Sequence, residues 1–110
     1  GIKLMAQTIN FEYEGEQYTL EFTRASIKQM ESTGFTIADL SRKPATSWPV
    51  FFSGAFLVHH RKLKEEKIRE IYKHMVDKDR LMEKLTEMYY EALSTLMDDP
   101  DENDSKKIVW

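Results

Sequence analysis

The chain of 110 residues has no cysteine, four glycines, three prolines and no long uncharged apolar run. Without cysteine there is no disulfide scaffold, no thiol catalysis and no Cys-type zinc site, which fits a reducing compartment. Four glycines, one of them at position 1, leave no glycine-rich phosphate loop. The least polar stretch, WPVFFSGAFLVHH from Trp48 to His60, falls well short of the roughly 20 residues that span a bilayer, so a soluble protein is expected. No secretory signal is visible, and Met5 followed by Ala6 reads as a natural start. Gly1 to Leu4 is then a cloning remnant.

The length suits one domain able to bury a core without metal or cross-links. Net charge is −3, unevenly spread: Lys and Arg against Asp and Glu run 5 to 6 over residues 1–60, 8 to 5 over 61–80 and 3 to 8 over 81–110. A basic middle precedes an acidic end. Acids interleave even the basic part, which points to a solvated helix surface rather than a nucleic-acid face.

Two alternating runs surround a turn between Thr8 and Phe22, with Ile9, Phe11 and Tyr13 on one strand face, Tyr18, Leu20 and Phe22 on another, and Glu14-Gly15-Glu16 between them. This predicts an antiparallel hairpin. Two strands alone are marginal in water, so the aromatic face must lie on helices or on another copy of the chain. Thr23 is placed to cap a helix with Ile27, Met30 and Ala25 inward, and Gly34 to stop it, with Phe35 packing back. Thr36 and Asp39 have the spacing of a capping box before a helical turn or two that Pro44 ends.

Ser47 and Pro49 then suit the start of a central helix covered on most sides, in which Gly54 and Ala55 allow close approach of a neighbour. Ile68, Ile71, Tyr72, Met75 and Val76 recur at helical spacing in the next segment. Asp77 can cap a last helix carrying Leu81, Leu85, Met88, Tyr89, Ala92, Leu93 and Leu96 on one stripe. The expected fold is therefore α+β and mostly α-helical: an N-terminal β-hairpin and about five helices packed around a central apolar helix. Residues 5–97 form the domain, and residues 98–110 an acidic tail that composition marks as mobile.

Chemistry is hard to find in this pattern. His59 and His60 suit the end of the central helix, and Glu70 with His74 has a metal-compatible spacing but no further ligand. Ser53 lacks the flanking glycines of a nucleophile elbow. No catalytic, cofactor or metal residue is assigned, and an enzyme is not expected. Protein binding is the better prospect, because Met75, Met82, Met88 and Met97 lie in or beside the faces of the last two helices, and flexible Met side chains suit varied apolar partners. Tyr89, Tyr90 and Trp110 complete the candidate partner surface, with Met82 and Tyr90 off the inward stripe.

The order FEYEGEQYTLEFTRASIKQMESTGF, a short helix with Pro44, FFSGAF, DKDRLMEKLTEMYYEAL and Trp110 resembles a family of small phage and prophage proteins from the tail-gene clusters of long-tailed phages of Gram-positive bacteria, similar to tail assembly chaperones. The resemblance runs from Phe11 to Trp110 and contains no catalytic signature. It implies a non-enzymatic protein that binds the tape-measure protein and helps tail-tube subunits polymerise, in the cytoplasm of the bacterial host and absent from the mature virion. It also implies helical character, and weak binding multiplied over copies would favour a homo-oligomer. Two alternatives stand beside it: a small phage regulator that binds a host protein or nucleic acid through Arg61 to Lys73, and a minor structural tail component.

Overall fold

The computed structural model describes residues 7–94 and 108–110. Strands β1 (Ile9–Tyr13) and β2 (Glu16–Leu20) pair antiparallel, with Ile9 opposite Leu20, Phe11 opposite Tyr18 and Tyr13 opposite Glu16. Glu14 and Gly15 both take positive φ, 51° and 81°, as a two-residue type I′ turn requires. Because Phe11 faces Tyr18, the two apolar sets form one face, and their rings stack at 5.4 Å. Phe22 lies beyond β2 and is buried where the chain turns toward the first helix.

Helix α1 (Arg24–Ser32) opens on a capping box. Ser26 N–H donates to Thr23 Oγ1 at 3.1 Å, and Thr23 N–H donates to Ser26 Oγ at 2.9 Å. It closes on a Schellman motif: Gly34, at φ 102°, donates to Glu31 C=O and Phe35 N–H to Met30 C=O. Ile27 and Met30 point inward as expected, whereas Ala25 is exposed, one position off the buried stripe. Helix α2 (Asp39–Arg42) lacks the expected capping box. Asp39 N–H bonds to the main-chain carbonyl of Thr36, so a backbone turn replaces the side-chain cap.

Helix α3 (Pro44–Gly54) departs most from expectation. It starts with Pro44 in its first turn, not at Ser47; Ser47 is buried inside it and Pro49 sits in its second turn. The missing Pro49 donor costs little, since Ala45, one turn back, is exposed and its carbonyl can take water. The helix also ends early. Ala55, Phe56 and Leu57 make tight bonds three residues back, and the Ala55 carbonyl accepts from Glu21 N–H at 3.0 Å. That carbonyl joins the end of β2 instead of a helical ladder, so the stretch expected to be one post is a helix followed by turns.

His59 and His60 consequently do not cap a helix. His60 Nε2 accepts from Thr19 N–H on the outer edge of β2 at 3.0 Å, and His59 Nε2 meets Glu21 Oε1 at 2.6 Å. The His60 bond requires an unprotonated Nε2, and burial, helped by His59, lowers the His60 pKa below its ordinary 6.5. The unfolded chain then binds the proton more readily than the fold does. Stability from this group is present above pH ~6.5 and is lost as pH falls through the lower folded value. Melting temperatures of His60→Gln, which keeps an acceptor but does not titrate, should fall less between neutral and mildly acidic pH than those of the wild type; parallel curves would refute the assignment.

Helix α4 (Glu65–His74) has acids in its first turn and Lys73 and His74 in its last, matching the helix dipole. Ile68 and Ile71 are buried, but Val76 is 86% exposed because the helix ends before it. Asp77, at φ 50°, leads into helix α5 (Lys78–Ser94), where Leu81, Leu85, Met88 and Tyr89 face the core. Among the described residues the chain is thus mostly α-helical, with a two-stranded hairpin followed by five helices. Leu96 and Met97 lie outside the described residues.

Candidate functional site

Starting α3 at Pro44 turns Trp48 partly outward, and the end of α4 and start of α5 meet it there. Between them lies an open groove of about 570 Å³, lined by Pro44, Ala45, Trp48, Pro49, Tyr72, Lys78, Asp79 and Met82. Its floor is tied to the core: the Trp48 ring meets Phe51 edge-on at 5.6 Å, and Tyr72 lies 5.1 Å from Phe52. Lys78 closes one side, with Nζ 5.3 Å above the Tyr72 ring and donating to the Met75 carbonyl at 2.9 Å. The groove combines rigid aromatic walls with an adaptable thioether, which suits apolar side chains offered by a partner.

Of the residues expected to bind a partner, Met82 lines this groove and Met75 is half-buried at the end of α4. Tyr90 is 53% exposed on α5, and Trp110 is fully exposed beside Ile108 and Val109. Met88 and Tyr89 must be withdrawn from that surface. They are 2% and 1% exposed, and Tyr89 packs against Phe22, Phe35 and Phe51, because both fall on the inward stripe of α5. Met97 lies outside the described residues. Trp48, Tyr72 and the two prolines escape a reading of periodicity, since their shared groove arises from three helix ends. The only sequence hint is two prolines bracketing a tryptophan.

A second cluster joins the hairpin turn to α4. Tyr13 OH donates to Glu70 Oε2 at 2.8 Å, while Lys67 Nζ donates to the same oxygen at 3.0 Å and to Glu14 at 3.1 Å. The Lys67 ammonium also lies 5.2 Å from the Tyr13 ring centre. The bond to Glu70, with desolvation and Glu14, pushes the Tyr13 pKa up to about 12. The bonds from Tyr13 and Lys67 lower the Glu70 pKa below its ordinary value, and the bonds to Glu70 and Glu14 raise that of Lys67. These bonds tie the hairpin turn to α4. His74 Nδ1 lies 2.9 Å from the Glu70 carbonyl, and among the described residues no group of three or more potential ligands could hold a metal ion.

Three of the six basic residues from Arg61 to Lys73 have partners within the chain. Arg61 donates to Gln29, Lys67 holds two carboxylates, and Arg69 pairs with Glu65 at 3.5 Å. Among the described residues no helix is long and apolar enough to cross a membrane. No curated protein and no solved structure matches the chain. A family model described as Domain of unknown function (DUF5055) matches residues 5–110, and the chain belongs to that family.

Proposed function

We propose that the chain is a non-enzymatic tail assembly chaperone that binds apolar helix faces of a phage tape-measure protein, and through it serves tail-tube polymerisation in the bacterial cytoplasm. The observation that carries the binding role is the open groove lined by Trp48, Tyr72, Met82, Pro44 and Pro49. A long helical client needs its apolar faces covered weakly and reversibly, and a shallow, partly exposed groove provides that. The choice of client rests on the resemblance of EFTRASIKQMESTGF and FFSGAF to the tail-cluster proteins.

Co-expression with the tape-measure protein of the same gene cluster tests the reading. The two should co-purify, and Trp48→Ala and Met82→Glu should each weaken the complex by about tenfold or more, as loss of an aromatic or apolar anchor does. Because Trp48 and Met82 are only half-buried, the variants should retain their helical circular dichroism. Failure of the wild-type pair to associate, or full binding by both variants, would refute the proposal.

A further inference from the structure

We propose that β1 is a dimerisation edge, pairing antiparallel with β1 of a second copy about a two-fold axis at Phe11. The hairpin register fixes which main-chain groups are available. In a two-residue hairpin the closing pair, Tyr13 with Glu16, is hydrogen-bonded, and so, alternately, are Phe11 with Tyr18 and Ile9 with Leu20. Residues between these pairs turn their N–H and C=O groups away from the partner strand. Thr19 N–H does so on β2, where it meets His60, and Glu21 N–H continues that edge by meeting Ala55. That edge is thereby partly covered, with Gln17 as its remaining outward residue.

On β1 the outward groups belong to Asn10 and Glu12, and the sheet has no third strand among the described residues. These two residues flank Phe11 symmetrically, which makes the edge self-complementary. Under a two-fold axis at Phe11, Asn10 of one copy and Glu12 of the other form a hydrogen-bonded pair on each side of the axis. Their side chains share the solvent face. The Asn10 amide donates to Thr8 Oγ1 at 3.0 Å and accepts from Thr19 Oγ1 at 2.7 Å, which fixes its orientation and leaves its second amide proton for the facing carboxylate, while the two Glu12 charges stay apart. Glu12 has no ion pair within the described residues.

Phe11 then faces its own copy in the closer, non-hydrogen-bonded type of pair. Each Phe11 is half-buried and already stacked on Tyr18, so a four-stranded sheet would carry a continuous aromatic row Tyr18, Phe11, Phe11, Tyr18. Two strands gain most from such an extension. On the β2 side His60 and Ala55 take the Thr19 and Glu21 N–H groups, so of the outward N–H donors there only that of Gln17 is left, too little for a further strand, and pairing stops at two copies instead of growing into a fibre. A foreign strand would lack this symmetry and the Asn10 to Glu12 match.

Sedimentation of the full chain from micromolar to millimolar concentration should show a monomer–dimer equilibrium. Asn10→Glu, which sets two carboxylates against each other twice per dimer, should weaken it by about tenfold or more, and Asn10→Lys should preserve or tighten it. Glu12→Pro removes an outward donor that the hairpin does not use and should abolish the dimer. Circular dichroism shows whether each variant is folded. Concentration-dependent hydrogen-exchange protection should appear at the Asn10 and Glu12 amides, independently of Trp48→Ala in the groove. A wild-type monomer throughout, or a dimer indifferent to Asn10→Glu and lacking protection at those amides, overturns the proposal.

Discussion

Phe51→Ala should lower stability by about 3–5 kcal/mol and the melting temperature by more than about 10 °C. Phe51 is wholly buried, stacked on Phe22 at 5.1 Å and Phe35 at 5.8 Å, and in edge contact with Trp48 and Tyr89. These partners come from the two flanks of α1, from α3 and from α5, so truncation opens a cavity that no single element can relax to fill. Domains of this kind have only about 5–15 kcal/mol in total, so the variant should be close to unfolding at physiological temperature. Phe51→Leu retains much of the volume and should lose less. Thermal and urea melts of the two variants provide the check, and a shift of less than about 2 °C for Phe51→Ala would mean that the aromatic cluster is not the centre of the fold.

Gly54→Leu should cost about 1–3 kcal/mol or more by overpacking. Gly54 is buried at the end of α3, and a Cβ there would lie within 2.5 Å of the Met30 sulfur on α1. Met30 is itself buried, so its flexible side chain has little free space to move into. The clash predicts coupling between the two positions. Gly54→Ala should destabilise the wild type but be neutral or slightly stabilising in a Met30→Ala background, where the methyl enters the vacated space and alanine favours the helix over glycine. Equal effects of Gly54→Ala in both backgrounds would show that Met30 is not what requires glycine.

The hairpin was legible because Glu14-Gly15-Glu16 separates alternating apolar runs, although Glu16 pairs with Tyr13 inside β2 and only Glu14 and Gly15 turn, and α1 because Thr23 and Gly34 mark its ends with local chemistry. The stripe of α5 was legible for a similar reason, since its period survives without knowledge of any neighbour. The start of α3 was not. Pro44 and Pro49 both satisfy the rule for a helical first turn, and the choice between them depends on how Phe51 and Phe52 enter the core. The histidines were misplaced for the same reason: once the Ala55 carbonyl turns to Glu21, the helix ends and His60 is delivered to the edge of β2.

Among the candidate residues, Met82 was found because it lies off the stripe of its own helix, whereas Trp48 and Tyr72 become neighbours only when three helix ends converge. The sequence by itself determined the order and type of the elements, since turns, caps and periodicity act over a few residues. Tertiary structure decided where the apolar post breaks, which methionines and tyrosines remain outside among the described residues, and which edge of the hairpin His60 meets. Those outcomes depend on contacts between segments as distant as Tyr13 and Glu70, or Thr19 and His60, whose pairing no local pattern encodes.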